Sequence, residues 1–184
     1  MPENIPDRML SYVNEVNRGV EENKQDDRMV HHVTKAVAWE CLKKTYRPTP
    51  APRHEVLAAL AGRHDAEGLL TYLEERLRLV QTIGAGRNQI RFTLDPLAEY
   101  LAGLHMLDQY GDNEDAWRQF FTLADIMPGA PDAIKEFLLA VRDCCLSKGS
   151  EAKVPDFLSI ELARRAGLDA EVVKTGTAGS ALTN

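Results

Sequence analysis

Apolar residues recur at helical spacing through most of the chain, and the breaks between them mark out its elements. Pro6 and Asp7 open a first helix in which Met9, Val13, Val16 and Val20 share a face. A charged break, Glu21 to Asp27, follows. Asp26 or Asp27 then caps a long helix to about Tyr46, with Val30, Val33, Val37 and Cys41 as a stripe and Ala38 and Leu42 beside it. Trp39 lies off that stripe, which predicts packing against a neighbouring element. Pro48-Thr49-Pro50-Ala51-Pro52 ends the helix and reads as a stiff connector, because proline fixes φ and favours extended backbone. A short helix from His54 to Ala61 closes at Gly62. Asp65 caps a third helix through Leu77, carrying Leu69, Leu70, Leu73 and Leu77.

After Leu77 the period changes from helical to alternating. Leu79 to Ile83 and Gln89 to Thr93 read as short strands around Gly84-Ala85-Gly86-Arg87-Asn88, which predicts a β-hairpin. Three helices followed by a hairpin is the order of a winged helix, with the hairpin as its wing. The chain then runs into its most apolar helix. Asp95 is placed to cap it, Pro96 suits the first helical position, and Leu97, Ala98, Leu101 and Leu104 fall on one face. This helix is expected to extend to about Tyr110 and to be buried on one side at least.

From Asp112 the pattern is helical throughout. Ala116-Trp117, Phe120-Phe121 and Ala124 form one stripe, and a loop from Met127 to Pro131 ends it. Ile134, Phe137, Leu138, Val141 and Cys145 form the next stripe, before a polar loop over Ser147 to Lys153. A last helix starts at Pro155-Asp156 and ends at Arg164-Arg165-Ala166-Gly167, basic in its last turn with Gly just beyond. The predicted fold is mainly α, a winged-helix domain followed by a C-terminal helical bundle or short helical-repeat half. Its predicted divisions are an N-terminal helix and linker over 1–26, the winged helix over 27–110, the bundle over 111–167, and a flexible tail over 168–184.

Composition narrows the function. The 184 residues carry a net charge of −6, which disfavours broad binding to nucleic acid or anionic membranes. No apolar run approaches the roughly 20 residues of a spanning helix, and Met1-Pro2-Glu3-Asn4 has no signal-peptide character. Three cysteines, Cys41, Cys144 and Cys145, make no disulfide framework. A cytoplasmic protein is the expectation.

Candidate chemistry is sparse. Gly84-x-Gly86 is followed by a strand rather than a helix, so it reads as a hairpin turn and not a phosphate loop. His31, His32, His54, His64 and His105 form no pair at zinc-ligand spacing. His54 and His64 read as solvent-facing, and His105 as a partly buried imidazole beside an apolar face. Adjacent Cys144 and Cys145 point about 100° apart on a helix, so one buried and one peripheral thiol is expected. No catalytic constellation, metal site or cofactor site emerges, and the chain reads as a module rather than an enzyme. The third helix would be the recognition helix of a DNA binder. It carries Asp65, Glu67, Glu74 and Glu75 against Arg76, the wrong charge for a groove. Arg87 at the wing tip, with Arg78 and Arg91, makes a modest basic patch, and these residues with Glu74, Glu75 and Arg76 suggest a mixed-charge interaction face.

The run Phe92 to Gly103 resembles a stretch that follows the nucleotide-binding core of NACHT-type NTPases, within the wider class of STAND signalling ATPases. There a winged helix ends in Phe-x-His-x-x-x-x-Glu-Tyr/Phe-Leu-Ala-Ala before helical repeats. Phe92, Glu99, Tyr100, Leu101 and Ala102 match, and Gly103 replaces the second Ala. Pro6-Asp7 with Tyr12-Val13-Asn14, Ala38-Trp39-Glu40-Cys41, and Tyr72 to Leu79 are similar to bacterial, cyanobacterial-like members. The resemblance spans about Ile5 to Ala124. Leu94 stands where the family often has a His that contacts nucleotide phosphates, so this contact is not expected here, and no P-loop is present in the sequence.

The resemblance implies a non-catalytic regulatory module that relays state between a nucleotide-binding domain, in the same or a partner chain, and a downstream helical region. Self-association is possible in such modules. Phe92, Asp95, Glu99, Tyr100, Arg87 and Arg91 are the candidate interaction residues. The alternative is a winged-helix transcription regulator that binds DNA and dimerises through its helical half. Neither role involves a membrane, and nucleic acid is the less favoured partner.

Overall fold

A computed structural model describes residues 4–63 and 65–168. The expectations for His64 and for the tail from Asp169 onward lie outside them. The Asn4 side chain accepts the Asp7 N–H at 2.9 Å and starts α1 (Ile5–Arg18). Asp26 does the same for Met29 at 3.3 Å and starts α2 (Asp27–Leu42). This helix ends earlier than its pattern predicts. Tyr46 takes φ +53°, and its ring packs 5.0 Å from Phe120 and 5.7 Å from Phe137.

The proline run is more than a connector. The Thr49 N–H donates to the Cys41 carbonyl at 3.0 Å, and Ala51–Pro52 forms strand β1, absent from the sequence reading. Then come α3 (Arg53–Ala59) and α4 (Ala66–Thr71), the latter started by the Asp65 carboxylate on the Gly68 N–H. The expected third helix does not continue as one α-helix. Residues Tyr72–Arg76 form a π-helical turn, closed by the Leu77 N–H on the Tyr72 carbonyl at 3.1 Å. The wider turn changes the side-chain register, and Tyr72 and Leu73 are both buried.

Strands β2 (Val80–Ile83) and β3 (Gln89–Phe92) are the predicted hairpin, antiparallel with Val80 opposite Phe92. On its other edge β3 pairs antiparallel with β1, Ala51 opposite Ile90, so the sheet order is β1-β3-β2. Val80, Ile90 and Phe92 face the core while Gln81, Gln89 and Arg91 are exposed, as a one-sided sheet requires. From α2 to β3 the order is helix, strand, two helices and a hairpin, with β1 completing a three-stranded antiparallel sheet.

The second half is helical: α5 (Asp95–Tyr110), α6 (Glu114–Ile126), a 3-10 turn (Asp132–Ile134), α7 (Lys135–Ala152) and α8 (Phe157–Arg165). The polar loop expected over Ser147 to Lys153 is instead the last turns of α7. Tertiary contacts hold this stretch, with its Gly149 and two serines, in the helix. Lys148 pairs with Asp7 at 2.8 Å, Ser147 donates to Asn4, and a Cβ on buried Gly149 would come within 2.9 Å of Val154. Helix α5 packs on α2 and α7 and also meets α1. Leu97, Leu101, Leu104, Met106 and Leu107 are therefore all buried, on more faces than the single stripe predicts. One apolar core runs without a break from Val13 to Leu162. No described helix is long and apolar enough to cross a membrane.

Candidate interaction site

Leu94 joins β3 to α5 in extended conformation, φ −126° and ψ 114°, and the residue is 47% exposed. The helix begins at Asp95, whose side chain makes no capping bond, which corrects the expected cap. Its carboxylate still lies in the first turn, at the positive end of the helix dipole. Pro96 follows, where a missing N–H leaves no bond unmade.

A cleft of about 180 Å³ opens beside this junction, lined among others by Cys41, Thr49, Pro50, Arg91, Phe92 and Asp95. It unites three of the six candidate residues. Phe92 contributes a wall from the core and is buried, so its role is packing. Arg91 and Asp95 are exposed. Arg87 stands apart at the hairpin tip, at φ +49°, with its N–H on the Gly84 carbonyl at 3.0 Å.

The other two candidates point inward. Glu99 is only 8% exposed. Burial pushes its carboxyl up to about 7, with Glu136 at the start of α7 and Asp95 adding repulsion. Tyr100 donates its hydroxyl to Asp143 on α7 at 2.6 Å. Burial, and then that carboxylate, hold the phenol above its ordinary range. The two helices come close there. A Cβ on Gly103 would sit 3.1 Å from the Cys144 sulfur and 3.4 Å from the Val141 Cα. Glu99 and Tyr100 thus belong to the α5–α7 contact, which ties the hairpin's exit helix to the C-terminal helices.

Cys144 and Cys145 are both buried, not one buried and one peripheral. Burial pushes Cys145 up to about 12 and Cys144 well above its ordinary value, so neither is a ready thiolate. His105 stacks 6.1 Å from Trp39, and burial lowers its pKa. Trp39 stacks on Tyr46 as well, at 6.4 Å, the neighbour its off-stripe position predicts. Among the described residues no group of three or more His, Cys, Asp or Glu could hold a metal ion.

The acidic third helix is largely committed to internal bonds. Asp65 begins α4, Glu67 pairs with Arg53, and Glu74 accepts the Thr82 N–H at 2.7 Å and its hydroxyl at 2.9 Å. A second set was missed in the sequence. Fully buried Asn17 donates to the Gln25 carbonyl at 2.9 Å and to Asp27 at 2.6 Å, and accepts the Tyr72 hydroxyl. Its signal was available: Asn17 lies four residues beyond Val13, on the buried face of α1.

Comparison with known proteins adds one match. The family model NACHT C-terminal Helical domain 4 matches residues 126–170, about a quarter of the chain. No curated protein and no solved structure matches. The matched stretch contains the 3-10 turn, α7 and α8, and begins just beyond Ile5 to Ala124, where the sequence resemblance lies. These C-terminal helices are similar to a NACHT-associated helical region.

Proposed function

We propose that the chain is a non-catalytic regulatory module of a NACHT-type signalling or defence NTPase. It would relay state between a nucleotide-binding domain and a downstream helical region. The observation that carries this reading is the match over 126–170 together with the packing of that same stretch, through α7, against α5. A displacement at the hairpin–α5 junction is communicated to α7 through Tyr100, Gly103 and Glu99, because close-packed contacts do not deform freely. Leu94, apolar and exposed at that junction, offers a phosphate no hydrogen bond. In this reading the partner domain binds the nucleotide. Calorimetry of this chain with ATP and ADP tests the non-catalytic part: no binding is expected, and micromolar affinity for either overturns it.

A further inference from the structure

We propose that Glu99 makes the contact between α5 and α7 a proton-sensitive joint, closed while its carboxyl is protonated and loosened once it ionises. Glu99 is buried one helical turn before Gly103, where the two helices press together. It takes part in no ion pair among the described residues. The charges that act on it, Glu136 at the start of α7 and Asp95 on its own helix, are both acids. Three carboxyl groups thus meet at the joint, and the buried one has the least access to water.

No cation from the surrounding elements offsets them. Lys35 of α2 is bonded to Asp108 at the far end of α5, at 3.0 Å, and Lys43 to Glu40 at 2.6 Å. Lys148 of α7 pairs with Asp7 of α1, and Arg118 of α6 with Glu114. Lys135 of α7 and Arg91 of β3 are exposed, and neither they nor Arg142 act on Glu99. Asp143 is engaged by the Tyr100 hydroxyl, and His105, further along α5, stacks on Trp39.

The proton therefore stays on Glu99 while the joint is shut, up to about pH 7 instead of 4.5. Opening lets the carboxyl ionise at its ordinary value, so opening releases a proton. Closure is strongest below the ordinary value and weakens as pH rises through the raised one. The start of α7 suits a local opening. It has no side-chain cap and is entered from the three-residue 3-10 turn. Loosening there would free Tyr100 from Asp143 and uncover Cys144, which is fully buried against α5.

The joint is argued from burial and charge within this chain and does not depend on the NACHT reading. Its test is amide hydrogen exchange over Val141 to Cys145, corrected for intrinsic rates, from about pH 5.5 to 8, with and without sub-denaturing urea. The opening constant is expected to rise about fivefold to tenfold between about pH 5.5 and 6.5 and to level off above about 7.5. Urea should leave it unchanged, because a local opening exposes little surface. Glu99→Gln is expected to abolish the rise, and Glu136→Gln to make it level off at lower pH. A flat profile in the natural chain overturns the proposal, as does a rise that persists in Glu99→Gln. Exchange that accelerates with urea as steeply as that of Val33 to Val37 in α2 also overturns it, since only global unfolding would then be at work.

Discussion

The phenol of Tyr72 donates to the side-chain oxygen of Asn17, 55 residues earlier in the chain, inside the buried angle between α1 and the π-turn. The same Asn17 amide holds the segment between α1 and α2 at Gln25 and the first turn of α2 at Asp27. At its other end α1 is tied to α7 through Asp7 and Lys148. Helix α1 thus bonds to both halves of the molecule. Tyr72→Phe leaves the Asn17 oxygen and the Gln25 N–H without this partner. A loss of about 1–3 kcal/mol in urea unfolding is expected, with faster hydrogen exchange in α1 and in the residues around Leu73. A change within experimental error would show that water replaces the bond.

Glu99 supplies a pH dependence of definite sign. Its carboxyl is raised to about 7 in the fold, from an ordinary value of 4.5. Between those values the folded state binds more protons than the unfolded one, so this group makes stability fall as pH rises through that window. Glu99→Gln removes the cost. Stabilisation of about 1–2 kcal/mol is expected at pH 8 and little at pH 4.5, where the folded state carries the proton and the unfolded state is about half protonated. Equal effects at both pH values would show that Glu99 titrates normally.

Gly103 sets the spacing of α5 and α7. Alanine there gains helix propensity of about 0.8–1 kcal/mol but presses on the Cys144 sulfur. Gly103→Ala is therefore expected to be more favourable in a Cys144→Ala background than in the natural chain, by about 0.5–2 kcal/mol in a double-mutant cycle. Additive effects would mean that the contact relaxes without cost.

Much of this architecture is legible in the sequence because amphipathic periods report burial directly. The stripe Val30, Val33, Val37, Cys41 and the alternation through Gln89 to Phe92 both match their observed faces. What stayed hidden depends on partners distant in sequence. Ala51–Pro52 is a strand only because Ile90 and Gln89 lie beside it. Ser147 and Lys148 are helical where α1 reaches them. Of the candidate residues, Arg87, Arg91 and Asp95 are surface groups as their polarity suggests, whereas Glu99 and Tyr100 face α7 despite theirs. Polarity alone does not say whether a group is exposed or is buried against a partner.

A relay must bind its nucleotide domain differently in that domain's two states, since a partner with equal affinity for both shifts neither. The direct test is to titrate this chain against the proposed partner, a NACHT nucleotide-binding domain, loaded with ADP in one series and with a non-hydrolysable ATP analogue in the other. A relay is expected to show dissociation constants that differ by about 5–150-fold between the two series. Equal constants, or no binding in either series, would contradict it.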